Sequence, residues 1–203
     1  MHMSLTERPL EYITECGIPG IRSIPFGIHL CHFYPKREDL VDSLVPYLMA
    51  GLRNNERCLW ITAPPLPADE AREELAKLLP GLEAMIRENR IRIVEATEWY
   101  GGTRRMDAND VSNRWLQEEE KALAEGYCGL RITVNTSFLT RVDWDTFMGY
   151  ESAIDKALKG RRIVALCSYD FHRCRPPDVS EVIQNHQVTL ERHEGDWEVL
   201  PRT

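Results

Sequence analysis

The sequence predicts an α/β fold, a mostly parallel sheet with helices on both faces and a β-hairpin at its C-terminal end. Three observations carry that expectation. Short apolar runs alternate with longer stretches whose apolar residues recur every three to four positions, and the alternation repeats over five units. Strand–helix alternation of this kind builds parallel crossovers. The chain has 203 residues, 43% hydrophobic and 28% charged, which suits one ordinary domain with a sizeable core.

Residues 1–20 form a polar leader punctuated by Gly and Pro, expected as a short helix or arm, and the main domain is drawn as 20–203 after an arm of 1–19. Ile28–Tyr34 is an apolar and aromatic run that suits a buried strand. The following segment, 35–55, has helical spacing at Leu40, Val41, Leu44, Val45, Leu48 and Leu52, with a kink or break expected at Pro46. Arg57–Ala63 reads as a strand stopped by Pro64-Pro65, and Ala68–Leu79 as an amphipathic helix. Ile91–Ala96 reads as a strand leading to a loop at Trp99-Tyr100-Gly101-Gly102. Asn109–Glu125 is a helix with Val111, Trp115 and Ala122 on one face, ended by Gly126. Leu130–Val134 is a strand, Trp144–Leu158 a helix, Arg162–Ser168 a strand and Val179–Asn185 a short helix. Segments 187–192 and 197–200 flank Glu194-Gly195-Asp196 as a hairpin.

Several function classes drop out. The net charge of −7 argues against direct nucleic-acid binding. No apolar run approaches the roughly 18 residues needed to span a membrane, and no signal-peptide core is present. Six scattered cysteines without a signal peptide read as free thiols in a reducing cytoplasm. The loop Tyr34-Pro35-Lys36-Arg37-Glu38-Asp39 stands where a phosphate-binding loop would, yet it lacks glycine and carries two carboxylates. There is no G-x-S-x-G elbow and no cysteine with a recognisable catalytic setting, so the reading is non-enzymatic and without cofactor.

In open α/β sheets ligands bind beyond the carboxyl ends of the strands. Period-two geometry puts His29 and Cys31 on one face of the first strand. Trp60, Trp99, Tyr100, Asn135, Cys167 and Tyr169 collect near other strand ends, the makeup of a small-molecule pocket. Arg131, a charge within an apolar strand, needs an internal carboxylate or an anionic ligand. His29, Cys31, His172 and Cys174 together offer a two-His, two-Cys set suited to zinc or to a thiol-redox switch. The plainer alternative makes Cys31 and Cys167 buried small hydrophobes and His29 a satisfied core histidine.

The stretches IPFGIHLCHFYPKREDLVDSLVPYLMAGLRNNERCLWITA, EWY, GYCGLRITVNTSFL, Tyr150-Glu151, RIVALCSYD and NHQVTLERHEGDWEVL resemble the MEDS domain, the methanogen/methylotroph DcmR-type sensory domain. The resemblance runs from about Gly20 to Leu200. It is most specific in the H-x-C-x-x-Y of His29, Cys31 and Tyr34 and in the block Asn54, Asn55, Glu56, Cys58 and Trp60. It implies a three-layer core similar to RecA/KaiC-like ATPases that have lost the phosphate loop, and a sensor of small hydrocarbon-derived compounds. His29, Cys31 and Tyr34 would be sensing residues, with Arg131, Asn135, Cys167 and Tyr169 at recurring positions. Val134 stands where the family pattern expects glycine, and Phe171-His172-Arg173 is richer than the usual segment before Cys174. The implied partners are a small organic ligand and a histidine-kinase or transcription-regulator output module in cis or in trans, with a homodimer as a compatible assembly. No PAS, kinase or helix-turn-helix segment is read in the 203 residues.

Overall fold

The computed structural model describes residues 12–101, 108–193 and 196–202. Strands β1 (Ile13–Glu15) and β2 (Ser23–Pro25) pair as a small antiparallel hairpin. There follow β3 (Ile28–Tyr34), α1 (Arg37–Arg53), β4 (Arg57–Thr62), α2 (Ala68–Leu78), α3 (Leu82–Arg87), β5 (Ile91–Glu95) and α4 (Ala96–Trp99). The second half runs α5 (Ala108–Ala124), β6 (Leu130–Asn135), α6 (Trp144–Ala157), β7 (Ile163–Asp170), α7 (Pro176–Asn185), β8 (Val188–His193) and β9 (Asp196–Pro201). The main sheet has seven strands in the order β5–β4–β6–β7–β3–β8–β9. Every pairing in it is parallel except β8 with β9. This is the expected mostly parallel sheet, and the closing hairpin extends it beside β3. The hairpin's turn at Glu194-Gly195 lies outside the described residues, as do 1–11 of the leader, Gly102 and the side chain of Val111.

Alternation along each strand divides the core in two. Ile28, Leu30, Trp60, Val164 and Leu166 face α1, α2 and α3, whereas Cys31, Leu59, Ile132, Ala165 and Cys167 face α5, α6 and α7. Helices thus cover both faces, giving the three layers. In α1, Leu40, Leu44, Leu48 and Leu52 recur every fourth residue and are all buried. Each buried leucine contributes about 1.5–3 kcal/mol, which together exceeds the roughly 3 kcal/mol cost of a helix-interior proline. That balance explains why α1 continues through Pro46 without the expected break.

The leader also departs from expectation. Its described part contains the strand β1, and Cys16 and Ile18 are buried in the core; the rest of the expected helix or arm lies outside the described residues. The loop after β1 crosses α1 at Gly17, where a Cβ would lie 2.3 Å from the Pro46 carbonyl oxygen. The contact needs glycine. Two short helices, α3 and α4, stand where no helix is read from sequence. They have six and four residues, too few to display a helical period.

Arg131 explains how the leader is held. It is buried on the α1 side of β6, and Glu56 takes its Nε at 2.6 Å. The carbonyls of Cys16, Tyr47 and Glu15 accept three of its other N–H groups at 2.9, 2.7 and 2.7 Å, and Glu56 Oε1 accepts from Nη2 at 3.2 Å. Its guanidinium lies 4.5 Å from the Tyr47 ring centroid. Of the two partners open to Arg131, the internal carboxylate is the one present. Its place among ligand-binding residues is corrected accordingly, since its partners are groups of the protein.

Candidate functional site

The β3 residues read together as sensing residues part company at the sheet. His29 and Cys31 point toward α6 and α7; Tyr34 points to the opposite face, with His32. Tyr34 donates to Asn135 Oδ1 at 3.0 Å, and Asn135 Nδ2 reaches the carbonyl of Ala63 at 3.0 Å. These two side chains tie the end of β6 to the turn after β4. Trp60 is fully buried beneath α1. Trp99 and Tyr100 lie in the opposite core, where Tyr100 stacks on Phe138 at 5.0 Å and meets Phe147 and Tyr150 edge-on. Tyr34, Trp60, Trp99, Tyr100 and Asn135 are therefore packing and bracing residues, and none lines the large groove described below.

On the α6/α7 face a polar cluster forms around Glu151. His29 Nε2 lies 3.1 Å and His186 Nε2 3.5 Å from Glu151 Oε2. Cys167 Sγ is 3.5 Å from His29 Nε2 and 3.9 Å from the same carboxylate oxygen, and Tyr169 donates its hydroxyl to Oε1 at 3.1 Å. The imidazoles of His29 and His186 are 4.0 Å apart between centroids. All these side chains are essentially inaccessible. Burial consequently shifts each group toward its neutral form. His29 is pushed down to about 4, with Asp155 opposing the shift, and His186 down to about 3 by burial and by His29. Burial raises the Glu151 carboxyl and holds the thiols of Cys167 and Cys31 up, that of Cys31 to about 12.

The four-residue set read from sequence for a metal or redox switch is not assembled. His172 is exposed on the 3-10 turn Phe171–Arg173, and Cys174 lines a separate pocket of about 90 Å³ with Tyr169. Cys31 hydrogen-bonds to Thr189 at 3.4 Å instead. Among the described residues the single group of metal-capable side chains is His29, Glu151, Cys167 and His186. Glu151 and His186 stand in stretches that carry the family resemblance, yet neither is read from sequence as a site residue. Glu151 had a visible signal, because it sits four residues after Phe147 and three before Ile154, a carboxylate on the buried stripe of a helix.

A groove of about 920 Å³ runs beside this cluster, beyond the carboxyl end of β3 and between α7 and the β8–β9 hairpin. Phe33, Phe171, Val179, Ile183, Leu190 and Trp197 supply its apolar walls. Thr189, which holds Cys31, also lines it. Phe33 meets the Tyr169 ring at 5.8 Å, so a second path leads from groove to cluster. At the start of α1, where a nucleotide phosphate would sit in an ATPase, the first turn presents Glu38 and Asp39, and Arg192 pairs with Asp39 at 2.7 Å. Carboxylates there oppose anion binding at the helix N-terminus.

The fold and this site define a class, a RecA-like α/β core whose phosphate-binding loop is absent and whose strand-end groove is apolar. The chain is similar to a solved KaiC-like protein from the hyperthermophilic archaeon Pyrococcus horikoshii OT3, with a TM-score of 0.59 and 12% identity over 93% of this chain and 87% of that one. That likeness is one of fold. No curated protein sequence matches the chain. The sequence model of the family described as MEDS, MEthanogen/methylotroph, DcmR Sensory domain, matches residues 28–187, and the chain belongs to this family of sensory domains. No helix among the described residues is long and apolar enough to cross a membrane.

Proposed function

We propose that this sensory domain binds a small, mostly apolar organic compound in the groove between α7 and the β8–β9 hairpin, and signals without catalysing a reaction. The observation that carries the reading is the groove itself. It has the volume and apolar lining of a ligand site, and it lies beyond the carboxyl end of a strand, where open α/β sheets bind ligands. The polar cluster beneath it is sealed, which favours positioning over turnover, because a substrate would need access to reacting groups. Occupancy would press on Phe33 and Thr189, and through them on Tyr169 and Cys31. It would also bear on α7 through Val179 and Ile183. The element that moves on binding is then α7, and its exposed side is the surface offered to a histidine kinase or transcription regulator.

The test is a thermal-shift and calorimetry screen with short alcohols, amines, ketones and halogenated alkanes on the wild type and on Ile183→Trp, which places an indole in the groove. One ligand class should raise the wild-type melting temperature and lose at least about tenfold in affinity in Ile183→Trp, roughly 1.4 kcal/mol. Absence of any shift in the wild type, or a shift that survives in Ile183→Trp, overturns the groove as the binding site.

A further inference from the structure

We propose that His29, His186, Cys167 and Glu151 form a buried four-ligand site for a divalent transition metal, zinc by donor chemistry, which fastens α6 and α7 to β3 and β7. The donor atoms all lie within 4.8 Å of one another. Four of the separations are 3.1, 3.5, 3.5 and 3.9 Å. Tetrahedral zinc with bonds of about 2.0–2.3 Å requires ligand-to-ligand edges of about 3.3–3.6 Å, a size that these four separations bracket.

The orientation of the imidazoles carries the argument further. His186 Nδ1 is bonded to the Val182 carbonyl at 2.7 Å, and a carbonyl only accepts, so the proton of the neutral ring is on Nδ1. Its Nε2 therefore presents a lone pair to the Glu151 carboxylate, and this fully buried atom has no hydrogen-bond partner. Two acceptors aimed at each other in a dry interior repel unless a cation or a proton lies between them, and at 3.5 Å the pair leaves room for an ion. His29 likewise turns Nε2 toward Glu151 and Cys167, while its Nδ1 faces Asp155 at 3.9 Å without a hydrogen bond. A histidine whose outer nitrogen faces a carbonyl or carboxylate while the inner one faces the ion is the usual outer-shell pattern of metal-bound histidine.

Charge closes the case. A dication with one thiolate, one carboxylate and two neutral imidazoles sums to zero, the balance that buried ions demand. Binding displaces to solvent the Cys167 thiol proton and any proton that burial holds on Glu151, and involves no oxidation. Four protein ligands and no exposed face make the site structural in type, and its ligands come from β3, β7, α6 and the residue after α7. The metal would thereby set the wall of the groove, but its binding is read without any organic ligand, so the two proposals fail separately.

Untagged protein purified without chelator should carry about one zinc per chain by elemental analysis. Replacement with cobalt should give thiolate-to-metal charge-transfer absorption and tetrahedral d–d bands. Cys167→Ser should abolish the charge-transfer band and His186→Gln should lower the metal content at least about tenfold. Cys174→Ser and the groove variant Ile183→Trp should keep both signals. Should the ligand variants fail to fold, cobalt titration of the double variant Cys128→Ser, Cys174→Ser decides, since the charge-transfer band can then come only from a buried thiolate. Wild type that takes up neither metal, or cobalt bound without a thiolate band, or full metal content in Cys167→Ser, overturns the site.

Discussion

His29 and His32 stand three residues apart on β3 and face opposite layers, and the difference decides what each can do. His29 meets a carboxylate, a thiol and a second imidazole, whereas His32 meets the Ser168 hydroxyl at 2.6 Å and the rings of Tyr34 and Trp197. Desolvation alone pushes His32 down to about 3, while the unfolded chain titrates near its ordinary value of about 6.5. The folded state therefore binds fewer protons, and the stabilisation is complete above about pH 6.5 and is lost as pH falls toward 3. His32→Asn should flatten the acid limb of a urea-unfolding series by up to about 1.4 kcal/mol per pH unit below 6. Equal slopes in wild type and variant would show that His32 is not held neutral. At this scale the sequence was partly legible. His29, Cys31, Cys167 and Tyr169 do share one face, as period two requires. Tyr34, Asn135 and Arg131 do not, because a strand end has two sides and pooling by proximity in sequence ignores them. His186 follows a helix and reaches the cluster only through the docking of α7, which no local pattern records.

Among the elements, the five strand–helix units were readable because each carries enough residues to express a period. The short helices α3 and α4 were not, and neither was the strand order, since β3 pairs with β7 and β8 through contacts more than a hundred residues apart. The crossing of the β1–β2 loop over α1 is likewise long-range, though a glycine marks it. Gly17 has φ +87° and its added Cβ would meet both the Pro46 carbonyl and Ala50 Cβ, the latter at 2.6 Å. Gly81 has nearly the same backbone, φ +86°, with nothing within 4 Å of the added atom. Gly81→Ala should therefore cost about 1–2 kcal/mol for the left-handed conformation alone. Gly17→Ala should cost about 2–5 kcal/mol, because the backbone of α1 cannot yield as a flexible side chain would. Chemical denaturation of the two variants measures the difference. Equal losses would mean that the loop lifts off α1 without penalty.

For the whole molecule the question is whether the leader is an arm or part of the body. A boundary at residue 20 follows from the polar, Gly- and Pro-punctuated character of the first segment, but the buried Arg131 contradicts a separable arm. Two of its N–H groups are taken by the carbonyls of Glu15 and Cys16, and Thr14 adds its hydroxyl to the Glu56 carboxylate that balances the charge. Charge-assisted bonds of this kind are worth about 1.5–3 kcal/mol each, and removing one partner of a buried ion network costs more than the pair contributes, because the remaining charge is left without compensation. Deleting residues 1–19 also strips Cys16 and Ile18 from the core. The summed loss is on the order of 5 kcal/mol or more, as large as the whole stability of many domains. A chain starting at Gly20 should accordingly fail to unfold cooperatively, or melt more than about 15 °C below the full chain. Replacing both charges, Arg131→Met with Glu56→Leu, should restore part of the difference in the shortened chain, because an apolar pair has no orphaned carbonyl partners to miss. A shortened chain that melts within a few degrees of the full one would make the leader an arm after all and leave Arg131 satisfied by Glu56 and Tyr47 alone.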